Sequence, residues 1–192
     1  MSDDESWNEI LRAELPRQRR YAGLREWSEK PLKEKGILGE FVEALEHEGI
    51  TKITSWALQS EQDGDPPDGL LITAVGERWG VEITELVNQK AVELTQRGTE
   101  GQEVFAVWSD DEVIADLRSR ISRKDAAIVR GGPYHRYILL VHTDEPLLSP
   151  ARLRATLGSQ MFQTKLIDAA YILAPYETEG AELLVLAIRK DA

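Results

Sequence analysis

Pro67-Asp68-Gly69-Leu70-Leu71-Ile72-Thr73-Ala74-Val75-Gly76-Glu77-Arg78-Trp79-Gly80-Val81-Glu82-Ile83-Thr84-Glu85 is the stretch whose reading decides the fold. Asp65 to Gly69 is turn chemistry, two prolines followed by Asp-Gly, so a strand begins at Gly69 and runs apolar to Val75. Gly76-Glu77-Arg78 turns the chain, and Trp79 to Ile83 returns as a second strand. Pairing the two as a hairpin brings Asp68 and Glu82 to one end of a sheet. Carboxylates held close repel each other, so the pair asks for a cation, and oxygen-rich sites of this kind suit Mg²⁺ or Mn²⁺. Asp68 taken alone is an ordinary turn aspartate. The hairpin gives it a second reading as a ligand. Glu82 sits between Val81 and Ile83 in an apolar strand, where a charge needs a partner or a cation.

Working outward, Ile37, Leu38, Phe41, Val42 and Leu45 recur at helical spacing, with Gly36 and Gly49 as start and stop signals and Glu40 beside the apolar stripe. Ile50 to Leu58 reads as a strand, and Ser60 to Pro67 as a polar loop. Beyond the hairpin, Leu86, Val87, Ala91, Val92 and Leu94 predict a helix from Thr84 to about Gly98, on which Glu85 either extends the acidic cluster or, the better reading, is a first-turn glutamate favoured by the helix dipole. Ser109-Asp110-Asp111-Glu112 is a strong helix start, and the helix continues towards Lys124. Gly131-Gly132-Pro133 is a turn. Arg136 to His142 is a near-continuous apolar run, expected of a central strand covered on both faces, with His142 a satisfied residue at the core edge. Ser149-Pro150 caps a helix to about Leu157, and Ala169–Ala174 and Leu183–Ile188 are two further buried strands. This order specifies α/β with a mixed sheet flanked by helices. Residues 1–35 form a charged helical extension, in which Arg17, Arg19 and Arg20 read as a solvated face. Residues 36–192 form the main domain.

Composition narrows the functional classes. A chain of 192 residues supports one domain with a full core. No apolar run approaches the roughly 18 residues of a membrane span. The acidic start, Met1-Ser2-Asp3-Asp4-Glu5, lacks the order of a signal peptide, so a cytoplasmic location is expected. The absence of cysteine removes disulfides, thiolate metal sites and cysteine nucleophiles. A net charge of −11 argues against a large phosphate-binding surface, although local patches can oppose the global sign. The most basic stretch is 118–136, with Arg118, Arg120, Arg123, Lys124, Arg130 and Arg136. His47, His135 and His142 have no metal-ligand spacing, and no Walker loop, dinucleotide fingerprint or serine-nucleophile elbow occurs.

Pro67-Asp68 followed by Glu82-Ile83-Thr84, in the order helix, three strands, helix, strand, helix, strand, resembles the PD-(D/E)XK nuclease superfamily over roughly residues 36–190. That superfamily includes type II restriction enzymes and archaeal Holliday-junction resolvases. The resemblance implies a restriction-endonuclease-like fold in which Asp68, Glu82 and the Ile83 main-chain carbonyl hold Mg²⁺ or Mn²⁺, with Glu40 as a further metal or water contact. It also implies a nucleic-acid partner, DNA first, and leaves a homodimer open. Thr84 stands where the family usually has lysine and cannot carry positive charge. Either a cation reaches the site from elsewhere, with Lys52, Lys90 and Lys124 as the candidates, or the site is weak or dead. Gln89 matches the glutamine of RecB-like members, but the tyrosine expected four residues later is Glu93.

Three functions follow. The first is metal-dependent phosphodiester hydrolysis of nucleic acid, with Asp68, Glu82, Thr84, Gln89 and Lys90 as catalytic candidates. The second is a binding or scaffolding module on the same fold with catalysis lost, which Thr84 and the charge of −11 favour. The third, hydrolysis of a small phosphoester, requires a closed pocket in place of a groove.

Overall fold

The computed structural model describes residues 30–59, 67–88, 107–127, 129, 131–145, 147–174 and 181–190. Its spine is a six-stranded mixed sheet. The strands are β1 (Ile53–Leu58), β2 (Gly69–Thr73), β3 (Arg78–Glu85), β4 (Arg136–His142), β6 (Ala169–Ala174) and β7 (Glu182–Leu186), in the order β1-β2-β3-β4-β6-β7. β1, β2 and β3 form an antiparallel meander, β3, β4 and β6 run parallel, and β7 returns antiparallel at the far edge. Two short strands, β5 (Phe162–Thr164) and β8 (Ile188–Lys190), pair separately in parallel.

Three helices among the described residues cover the sheet: α1 (Lys30–His47), α2 (Asp110–Asp125) and α3 (Pro150–Leu157). Alternation along the strands divides the core in two. Leu38, Phe41 and Leu45 of α1 pack on Leu71, Val81, Ile138, Leu140 and Tyr171. Val113, Leu117 and Ile121 of α2 and Leu153 of α3 pack on the other face, against Tyr137, Leu139, Val141 and Ile172. Every residue of β4 from Tyr137 to Val141 is buried, as its continuous apolar run requires. α1 approaches β2 so closely that a Cβ on Gly69 would lie 2.7 Å from Leu38 Cδ2.

Several expectations shift. α1 already includes Lys30 and passes through Gly36, so the boundary between residues 35 and 36 falls inside a helix. Gly49 does stop the chain's helical path, at φ +65°, a conformation glycine adopts without strain. Thr84 and Glu85 are strand, not helix: pairing with β4 runs on to Glu85 opposite His142, and Leu86 N–H still donates to the His142 carbonyl at 2.7 Å. Leu86 to Asn88 have no regular structure, and the rest of the expected helix lies outside the described residues. The strand expected over Leu183–Ile188 is broken at Ala187. β7 pairs with β6, while β8 joins β5 in the second sheet. The N-terminal extension to residue 29, with its arginine cluster, is also outside the described residues.

Candidate metal and phosphate site

Gly69 pairs with Val81, so Asp68, one step earlier, stands across from Glu82, one step later. Val81 and Leu71 face α1, so alternation sends Glu82 and Asp68 to the opposite face, the one covered by α2. Both are nearly inaccessible, Asp68 at 8% and Glu82 at 3% exposure. The two carboxylates expected to converge therefore share one end and one face of the hairpin.

The ends of the strands explain how Asp68 is held. Val81 lies on the last rung of the β2–β3 ladder. Ile83 is two residues further along β3, so its N–H and C=O point to the same edge, past the point where β2 has ended. Asp68 Oδ2 fills that place, accepting from Ile83 N–H at 2.6 Å. The Ile83 carbonyl is thereby directed to the same side as the aspartate.

Two described groups hold Glu82. Lys124, in the last turn of α2, places its ammonium on Glu82 Oε1. The Tyr137 hydroxyl donates to Oε2 at 3.3 Å. Of the candidate lysines among the described residues, Lys52 and Lys124, Lys124 is the one that reaches Glu82. Lys52 is exposed before β1, at the hairpin end opposite Asp68, roughly 20 Å away by strand rise. Lys90 and Gln89 lie outside the described residues. Thr84 is buried two residues beyond Glu82, on the same face by alternation. Glu40 is half-buried on α1, in the layer on the other side of the sheet from Lys124. Glu85 is neither a helix-dipole residue nor part of the acid pair: at the end of β3 it bonds Lys33 of α1 at 2.9 Å.

The position of Lys124 has its own support. The α2 N-terminus carries a full capping box, Ser109 with Glu112. At the other end the buried carboxylate of Asp125 accepts from the N–H groups of Lys165, Leu166 and Ile167 at 2.7, 2.8 and 3.0 Å. This pins the last turn of α2 to the loop before β6. Tyr137 is fixed as firmly, because its own N–H donates to Asp168 Oδ2 at 2.7 Å. In the sequence Tyr137 reads as one more residue of an apolar strand. Its hydroxyl facing a glutamate is a cross-strand fact with no local signal.

Next to the acid pair, Gly80 leaves room for an aromatic wall. A Cβ there would lie 3.1 Å from Pro67 Cγ and 3.3 Å from the Tyr134 ring. The Tyr134 hydroxyl accepts from Gln59 Nε2 at 3.2 Å, and the Arg78 guanidinium lies 5.5 Å from the ring centroid. Among the described residues the basic surface expected over 118–136 does not form as one patch. Lys124 turns in to Glu82, and Arg120 is buried on Asp116. Arg118 bonds Gln160 at 2.8 Å, and Arg136 stacks over Trp79 at 5.0 Å. Arg123 is exposed, and Arg130 is outside the described residues.

His142 departs from the satisfied histidine expected. Its Nδ1 is buried without a hydrogen-bond partner among the described residues. Burial pushes its pKa from 6.5 down to about 4, with Asp144 opposing the shift and Lys33 adding to it.

The donor chemistry fits a hard divalent cation. Mg²⁺ is commonly held by one or two carboxylates, with waters and substrate phosphate completing the shell. Asp68, Glu82 and the Ile83 carbonyl supply that minimum. Among the described residues no group of three or more His, Cys, Asp or Glu side chains gathers into a metal cluster. Compared with known protein families, curated proteins and solved structures, the chain matches none of them. No described helix is long and apolar enough to cross a membrane.

Proposed function

We propose that this α/β domain is restriction-endonuclease-like and hydrolyses phosphodiester bonds in nucleic acid, DNA first, with Mg²⁺ or Mn²⁺. The observation that carries the reading is the pairing of buried Asp68 and Glu82 on one face of the hairpin, with a lysine ammonium brought in from α2. Asp68, Glu82 and the Ile83 carbonyl would hold the cation, which supplies Lewis acidity towards a phosphate oxygen and water. The protein's own part is positional. Asp68 is oriented by Ile83 N–H, Glu82 by Tyr137, and Lys124 brings the positive charge that Thr84 lacks. Low exposure keeps these charges in surroundings where their interactions are stronger than in water.

A second reading has its own support. Both Glu82 oxygens are engaged by protein groups, so the residue is satisfied without a metal, as in a binding module on the same fold. One assay separates the two. Supercoiled plasmid and single-stranded DNA are incubated with Mg²⁺ or Mn²⁺ and the wild type, beside Asp68→Ala. Metal-dependent cleavage lost in the variant supports hydrolysis. Equal products from both proteins, or none with either metal, would leave the binding module as the better account.

A further inference from the structure

We infer that Lys124 is the resident counter-ion of Glu82 and that a divalent cation displaces it, so the ammonium and the metal compete for one carboxylate oxygen. This rests on the metal-dependent reading above. Lys124 and Tyr137 differ in how readily they can leave Glu82. Tyr137 is sealed in the α2-side core, and its backbone is bonded to Asp168, so its hydroxyl stays on Oε2. Lys124 approaches Oε1 from the open side, with a quarter of its side chain exposed. Its α-carbon is fixed because the adjacent Asp125 anchors the helix end, but its stem rotates. Oε1 is therefore the exchangeable position.

The released ammonium remains tethered beside the metal position, ready to meet a phosphate oxygen. The arrangement also lets the acid pair fold without metal, because Glu82 is never a bare buried charge.

Competition has a reciprocal signature: whatever weakens the ammonium's hold strengthens the metal's by the same factor. Calorimetric titration of Mn²⁺ into the full chain, as wild type, Lys124→Gln and Lys124→Arg, reads it without reference to activity. The expected result is Mn²⁺ binding at least about fivefold tighter to Lys124→Gln than to wild type. Lys124→Arg, which keeps the charge, should bind no tighter than wild type. Lys124→Gln should also melt below wild type without metal and show the larger Mn²⁺-induced rise. Equal or weaker binding by Lys124→Gln overturns the competition while leaving the metal site in place. Absence of Mn²⁺ binding in all three proteins sinks the metal-dependent reading itself. If Lys124→Gln folds only with Mn²⁺, the inference holds. If it folds in neither condition, the inference falls, since an ion able to displace the ammonium must be able to replace it.

Discussion

Glu82 carries the most consequential chemistry of any single side chain here, because it is a buried charge whose state depends on its neighbours. Removing Lys124 with Lys124→Met should cost about 3–5 kcal/mol in metal-free buffer, the usual penalty for breaking a buried ion pair by removing one partner. Tyr137→Phe, which deletes one hydrogen bond, should cost about 1 kcal/mol, or somewhat more because the acceptor is charged. Urea titrations would rank the two, and a Lys124→Met penalty no larger than that of Tyr137→Phe would show that Glu82 is not ionised in the fold. His142 gives a prediction in pH. Its folded pKa, about 4, lies below the ordinary 6.5, so the unfolded chain binds the extra proton between those values. The stability that neutral His142 permits is whole above pH 6.5 and declines as pH falls towards 4, by about 3 kcal/mol over the window. The groups facing it are Lys33, Glu85 and Asp144. His142→Leu should lose less stability than wild type between pH 7 and 4.5; parallel losses in the two proteins would remove histidine from the account. The acid pair itself was legible in the sequence, since turn chemistry and a glutamate between apolar residues are local signals. The partners of Glu82 were not: Tyr137 lies 55 residues away and Lys124 lies 42 residues away.

Elements whose ends are written in local chemistry read correctly from the sequence, and those whose ends depend on partners did not. Ser109 and Ser149 cap α2 and α3 as their sequences say, because a cap needs only its own first turn. β4 was legible from its apolar run alone. By contrast, the apolar spacing after Glu82 suited a helix from Thr84, yet β3 continues because β4 offers a parallel partner as far as His142. A ladder across more than 50 residues outweighs a helical pattern of a few. Likewise Ala187 carries no break signal, but the chain there leaves β6 for β5. α2 matters most for the candidate site, since it delivers Lys124 to Glu82. Ser109→Ala should cost about 1 kcal/mol by loss of its cap. It should leave Mn²⁺ binding unchanged, because the cap lies at the end of the helix remote from Lys124. Asp125→Ala leaves three backbone donors without their acceptor next to Lys124, so it should both destabilise the fold by about 2–3 kcal/mol and alter Mn²⁺ affinity. Unchanged affinity in Asp125→Ala would show that Lys124 does not need its anchored helix end.

At the scale of the whole molecule, the acid pair lies where the antiparallel meander meets the parallel half of the sheet. β3 is antiparallel to β2 on one side and parallel to β4 on the other. β2 ends early at that junction, which opens the edge of β3 at Ile83 and lets an aspartate complete the rung. The chain's charge sets how such a site could engage nucleic acid. With a net charge of −11, and with Lys124, Arg120 and Arg136 held by protein partners, the stretch expected to be most basic offers only part of its charge to a phosphate backbone. If DNA is the substrate, much of its affinity is then expected to come through the metal and a handful of contacts. Duplex binding, measured with Ca²⁺ in place of Mg²⁺ to hold back cleavage, should depend only shallowly on monovalent salt. About three phosphate contacts correspond to a log–log slope near −3 and a loss of roughly fortyfold between 50 and 200 mM salt. Binding should weaken further when Ca²⁺ is withdrawn, because Asp68 and Glu82 then repel the backbone. A slope steeper than about −6 would mean that a broad basic surface does the binding, and an affinity indifferent to Ca²⁺ would separate DNA recognition from the acid pair altogether.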